Sequence, residues 1–113
     1  MSNASLLSPH WYRVAYLKPR LRSGVRIARQ QVRGQTWYVL TDPVSGRHHR
    51  FNGLAYALIA CCDGTLTIDD IWAQRVDAEG DDAPTQAQAI DVFAQAFGAN
   101  LLGAMVGGVA EYI

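Results

Sequence analysis

Three neighbouring pairs in this chain carry side chains capable of chemistry: Cys61-Cys62, His48-His49 and Asp69-Asp70. Vicinal cysteines act as a redox pair only if they can bridge. Successive helical residues point roughly 100 degrees apart, so a bridge between them would be strained. No Lys, Arg or His adjoins them to favour a thiolate, and they read as small buried hydrophobes. On a strand, His48 and His49 leave opposite faces and cannot readily share one ion. His10 stands alone, and neither Cys-x-x-Cys nor His-Glu-x-x-His occurs, so no metal site is expected. Asp70 lies three residues after Thr67, as in a helix cap, and Asp69 suits a solvated helix start. Gly-x-Ser-x-Gly and Gly-x-x-x-x-Gly-Lys are absent. No acid, base and oxyanion set assembles. The expectation is a protein that is not an enzyme and uses no cofactor.

These residues belong to 113 in all, half of them hydrophobic and 18% charged. That suits one globular domain with one core. No apolar run reaches the roughly eighteen residues that span a bilayer. The first nine residues lack the basic start and apolar centre of a signal peptide. With two adjacent cysteines rather than a spaced set, a cytoplasmic protein is expected. The formal net charge is zero, yet residues 1–50 hold nine basic residues against the single acid Asp42, and residues 51–113 hold Arg75 against nine acids. Either the halves neutralise each other across the fold, or one face meets an anionic partner such as an acidic peptide, lipid head groups or nucleic acid.

The positioning elements follow from pattern. Leu6 to Arg22 holds Pro9 and Pro19 and reads as an irregular arm whose aromatics Trp11, Tyr12 and Tyr16 pack across the domain. Three strands are expected at Val25–Gln31, Thr36–Thr41 and Arg47–Phe51. Gly34 and the run Asp42-Pro43-Val44-Ser45-Gly46 supply the turns of an antiparallel meander. The period then changes. Asn52 caps a helix whose inward stripe is Leu54, Leu58 and Cys61, ended by Asp63-Gly64. Thr67 to Asp70 starts a second helix with Ile68, Ile71, Trp72 and Val76 on its apolar face. After the acidic loop 78–82, Pro84 opens a third helix with Ile90, Phe93, Phe97 and Leu101 inward and Gln86, Gln88, Asp91 and Gln95 outward. The small apolar residues 103–108 support no assignment. The expected class is α+β, three strands and then three helices.

A binding surface remains. Arg47-His48-His49-Arg50 is cationic and ends the meander, and an exposed edge strand offers unpaired N–H and C=O groups to another chain. The same charges could instead guard that edge against aggregation.

Pro19-Arg20-Leu21, Gly24-Val25-Arg26, Tyr38-Val39-Leu40, Phe51-Asn52 with Ala55, Cys62-Asp63-Gly64 and Thr67-Ile68-x-x-Ile71 together resemble the PqqD-like family. Its members are the small chaperones of pyrroloquinoline quinone biosynthesis and their relatives, the RiPP recognition elements. The block from Arg33 to Asn52 is most similar to the PqqD-like region that opens certain bacterial site-2-protease-like membrane peptidases. The resemblance covers about half the chain. It implies a winged helix-turn-helix that binds the leader part of a precursor peptide as an added strand beside the third strand, in a groove shared with the third helix. Carried over, the groove takes Arg47, His48, His49, Arg50 and Phe51 with Gln86, Ile90 and Phe93. The peptidase's zinc motif and membrane helices are absent from this chain, so no peptidase activity is implied.

The expected organisation is therefore an arm at 1–22, a PqqD-like domain at 23–102 and a tail at 103–113. The expected partner is a peptide or protein segment. Tethering to a larger membrane peptidase or export protein, as its cytosolic regulatory domain, is the alternative, and a homodimer through the sheet edge is compatible with either. Winged helices often bind DNA, but the second helix offers Asp69, Asp70, Gln74 and Arg75, and acids at its start repel phosphate. No nucleic acid is expected.

Overall fold

The computed structural model describes residues 6–106 and 109–111, with side chains to residue 104. The chain is α+β: strands β1 (Lys18–Leu21), β2 (Arg26–Val32), β3 (Gln35–Thr41) and β4 (His48–Asn52), helices α1 (Gly53–Ala60), α2 (Ile68–Glu79) and α3 (Gln86–Gly98), then strands β5 (Leu102–Val106) and β6 (Val109–Glu111). Two antiparallel three-stranded sheets result, in the orders β2-β3-β4 and β1-β5-β6.

The first sheet is the expected meander, each strand placed within one residue. Its turns use backbone that favours glycine: Gly34 and Gly46 have φ of 79° and 75°. Directly opposed residues fix the faces. Ile27, Leu40 and His49 form one row and Arg29, Tyr38 and Phe51 the next on the same face, while Ala28, Val39 and Arg50 lie on the other. The first of these faces meets the helices, and Leu40 and Phe51 are buried there. Every residue of β2 is exposed, so this strand projects beyond the core.

Each helix start is capped. Asn52 Oδ1 accepts from the Ala55 N–H at 2.9 Å. Thr67 and Asp70 form a reciprocal capping box on α2. Thr85 and Gln88 form another on α3, so this helix begins after Pro84 rather than at it. The Pro84 carbonyl instead accepts from the buried Trp72 indole at 2.8 Å. Helix α2 continues three residues past Val76, to Glu79, before a short 3-10 turn at Gly80–Asp82.

Two expected stripes rotate. In α1 the inward residues are Leu58 and Ile59, followed by Cys62, whereas Leu54 is 43% exposed. In α3 they are Gln86, Ala89, Phe93 and Ala96, with Ile90 and Phe97 half-buried against the core. The inward line therefore alternates a large residue with alanine, and Ile90 and Phe97 flank it.

The expectation of an irregular arm is corrected in part. Trp11 enters the core, its ring 5.5 Å from that of Trp72, and its indole N–H donates to Asp69 Oδ1 at 2.7 Å. The first two amides of α2 find their acceptors in the arm: Ile68 N–H donates to Leu17 O and Asp69 N–H to Ala15 O. Those amides have no partner within a helix, so the arm completes α2. Tyr12 and Tyr16, expected to pack with Trp11, are each 70% exposed.

Residues 18–21 are a strand paired with β5, with Pro19 opposite Ala104. Proline is tolerated because β1 lies at the edge of its sheet. The residues 103–106 that supported no assignment belong to β5, while Gly107 and Gly108 lie outside the described residues.

Candidate functional site

The cationic run Arg47 to Phe51 falls at the free side of β4, the last strand of its sheet. Strand alternation divides its side chains. His48 and Arg50 point to the outer face, where Arg50 stacks its guanidinium 5.3 Å from the centre of the Trp37 ring. His48 Nδ1 shares a hydrogen bond of 2.7 Å with the Thr41 hydroxyl across the strands. His49 and Phe51 point inward, His49 half-buried and Phe51 buried. The two histidines leave opposite faces, as their spacing requires.

Two depressions connect the ends of β4 to α3 and the residues that follow it. At one end, Gly98, Ala99 and Asn100 share a depression of about 250 Å³ with Arg47, His49 and Asp42. At the other, Asn52 shares a larger groove of about 530 Å³ with the start of α1 and the first half of α3. Its apolar floor is Leu54, Leu58 and Val92, and Asp81, Asp82 and Asp91 line its rim. The strand edge is therefore flanked by an end that holds both Arg47 and Asp42 and by an anionic end.

Asp42 fixes the first of these ends. Its carboxylate accepts from the Ser45 hydroxyl at 2.6 Å, the Val44 N–H at 2.9 Å and the Asn100 side-chain amide at 3.0 Å. The Ser45 hydroxyl above all, with the Val44 N–H and the Asn100 amide, holds this carboxyl down at about 2. The aspartate joins the turn before β4 to Asn100, just past the end of α3, and so ties the two sides of the depression together at that end.

The expected helical contacts fall elsewhere. Gln86 is buried beneath the arm, where its Oε1 accepts from the Ser8 N–H at 2.8 Å and its own N–H donates to Leu6 O. Phe93 is 2% exposed in the core, and Ile90 packs against that core. The α3 residues that line the groove are Gln88, Asp91 and Val92, from the polar side of the helix and its border. Apolar periodicity selects the core face, so it could not point to them. Of the expected outward set Gln86, Gln88, Asp91 and Gln95, Gln88 and Asp91 line the groove, whereas Gln86 is buried.

The cysteines are free thiols. Cys62 is buried, and burial pushes its thiol well above the ordinary range. Among the described residues no three His, Cys, Asp or Glu side chains come together to hold a metal ion. Nor is any described helix long and apolar enough to cross a membrane.

Charge separation survives folding. Among the described residues the ion pair is Arg75 with Glu79, one helical turn apart at 3.5 Å. Arg26, Arg29 and Arg33 of the β2–β3 hairpin are exposed and form no ion pair with a described carboxylate. Among the described residues, neutralisation between the halves, one of the two alternatives, is not made by direct ion pairs.

No family model, no curated protein and no solved structure matches this chain.

Proposed function

We propose that this chain is a PqqD-like winged-helix module that holds an extended segment of another polypeptide and performs no catalysis itself. The β2–β3 hairpin is then the wing, and the bound segment adds as a strand to the free side of β4. The observation that carries this reading is the free edge of β4 with a depression at each end, both shared with residues of α3. Main-chain hydrogen bonds to β4 would supply affinity and the depressions register. Arg47 and His49 favour an acidic residue at their end. Two copies paired through this same edge would bring Arg47 and Arg50 of each together, so the reading favours a different polypeptide. The free thiols are in keeping with a cytosolic setting. The exposed Asp69 and Asp70 at the start of α2 oppose a role for that helix on DNA.

The test is an NMR titration of isotope-labelled protein with precursor-like peptides encoded beside the gene and with a synthetic peptide of alternating Glu and Val. Amide shifts should concentrate at residues 47–52 and 88–92. Arg47→Glu with Arg50→Glu should weaken binding by tenfold or more at low salt. A titration with all these peptides that leaves residues 47–52 unmoved overturns the proposal.

A further inference from the structure

The groove between α1 and α3 is apolar at its floor and acidic at its rim. The exposed strand β2 offers the opposite chemistry. Ile27 and Val32 are 44% and 39% exposed, and Arg26, Arg29 and Arg33 stand beside them. We propose that the β2–β3 hairpin of one copy docks in the α1–α3 groove of a second copy. Ile27 or Val32 lies over Leu54, Leu58 and Val92, and the arginines meet Asp81, Asp82 and Asp91.

Three observations support this occupant over others. The hairpin brings together two exposed aliphatic side chains, Ile27 and Val32, and three exposed arginines, Arg26, Arg29 and Arg33. None of those arginines forms an ion pair with a carboxylate among the described residues. Its own groove is out of reach, because β3 and β4 lie between β2 and the groove and hold the hairpin in the sheet. Complementary surfaces that cannot meet within one molecule can meet between two.

Donor and acceptor are different surfaces, so the contact is heterologous. Each added copy leaves one hairpin and one groove free, and association passes beyond the dimer unless a ring closes. The attraction is between exposed charges and weakens as salt shortens their range from about 10 Å at 0.1 M to about 3 Å at 1 M. This inference does not depend on strand addition at β4. Either can fail alone.

The experiment is sedimentation of the whole chain over a wide concentration range, at low and at high salt. At low salt the average mass should rise steadily above 12.4 kDa, and at high salt it should return to that value. Arg29→Glu/Arg33→Glu and Asp81→Lys/Asp82→Lys should each weaken association tenfold or more. In the mixture each reversed hairpin faces a groove of opposite sign, so association should return. All four positions are exposed. Amide shifts of the unaltered protein on dilution give a readout free of substitutions, expected at residues 26–33 and 81–92 together. A mass that stays monomeric at low salt overturns the proposal. So does association indifferent to the charge exchange, a mixture that fails to restore it, or dilution shifts centred on β4. Duplex DNA or anionic vesicles engaging the hairpin of a protein that remains monomeric would assign the hairpin to another partner and overturn the proposal as well.

Discussion

Replacing Trp11 measures whether the arm is part of the core or an appendage. Trp11 is 8% exposed, packs on Trp72 and donates to Asp69. Truncating a buried Trp or Phe to Ala costs about 3–5 kcal/mol. Trp11 lies where the arm meets the core, so its neighbours can partly close over the gap and water can reach the Asp69 carboxylate. The expected loss for Trp11→Ala is therefore at the low end, about 3 kcal/mol. Trp11→Phe keeps an aromatic ring against Trp72 and removes the indole N–H, whose acceptor is exposed; that costs about 1 kcal/mol. In a chain of this length, 1 kcal/mol moves the melting midpoint by about 4 °C. The two variants should then melt about 12 °C and about 4 °C below the unaltered protein. Urea titration should lower the midpoint with little change in slope. Tryptic cleavage after the exposed Arg13 should quicken in Trp11→Ala. If Trp11→Ala melted within about 4 °C of the unaltered protein, the arm would not belong to the cooperative unit. If Trp11→Phe lost as much as Trp11→Ala, the hydrogen bond and not the packing would hold it.

Acid should weaken the joint between the β3–β4 turn and α3. The Asp42 carboxyl is held at about 2 in the fold against 3.8 as its ordinary value, so the unfolded chain binds more protons between those limits. Its stabilising contribution is complete above pH 3.8 and is lost as pH falls to about 2. Asp42→Asn should flatten that part of a melting-midpoint-against-pH curve. Native protein treated with iodoacetamide at mildly alkaline pH should be alkylated at Cys61 and spared at Cys62, with Cys62 labelled only after unfolding, as peptide mass spectrometry would show. Gln86→Ala should cost about 1 kcal/mol through the lost Ser8 contact, and Phe93→Ala about 3–5 kcal/mol. Neither should move peptide affinity by more than the fraction of protein unfolded, measured by calorimetry beside thermal melts.

The three meander strands and the second helix were legible because local chemistry decides them. Alternation, Gly34 and Gly46 define the strands, and Thr67 with Asp70 defines the helix start. The third helix was legible except for its first residue. Thr85 and Gln88 carry the same capping signal as Thr67 and Asp70, but Pro84 was read as the start. The second sheet was hidden for a different reason. Lys18-Pro19-Arg20-Leu21 holds a proline, and Leu102–Val106 is made largely of small residues. Neither resembles a strand until the other is beside it, since strand preference depends on neighbours more than on the residue itself. At the candidate site, the cationic run on β4 was visible in the chain. The anionic end was not, because Asp81 and Asp82 follow α2 while Asp91 lies within α3, and only folding places them around Leu54 and Leu58.

Pairing of β1 with β5 joins residues more than eighty positions apart. That has a consequence for synthesis. Helices and meander can form as the chain emerges, but this sheet cannot close until the residues near 106 have cleared the ribosome. Long-range pairings of this kind are slow because the loop between them must be ordered first. The two strands also bring early and late parts of the chain to one side of the domain. Rejoining these neighbouring segments and opening the chain at the β2–β3 hairpin tip should give a permuted protein that still folds.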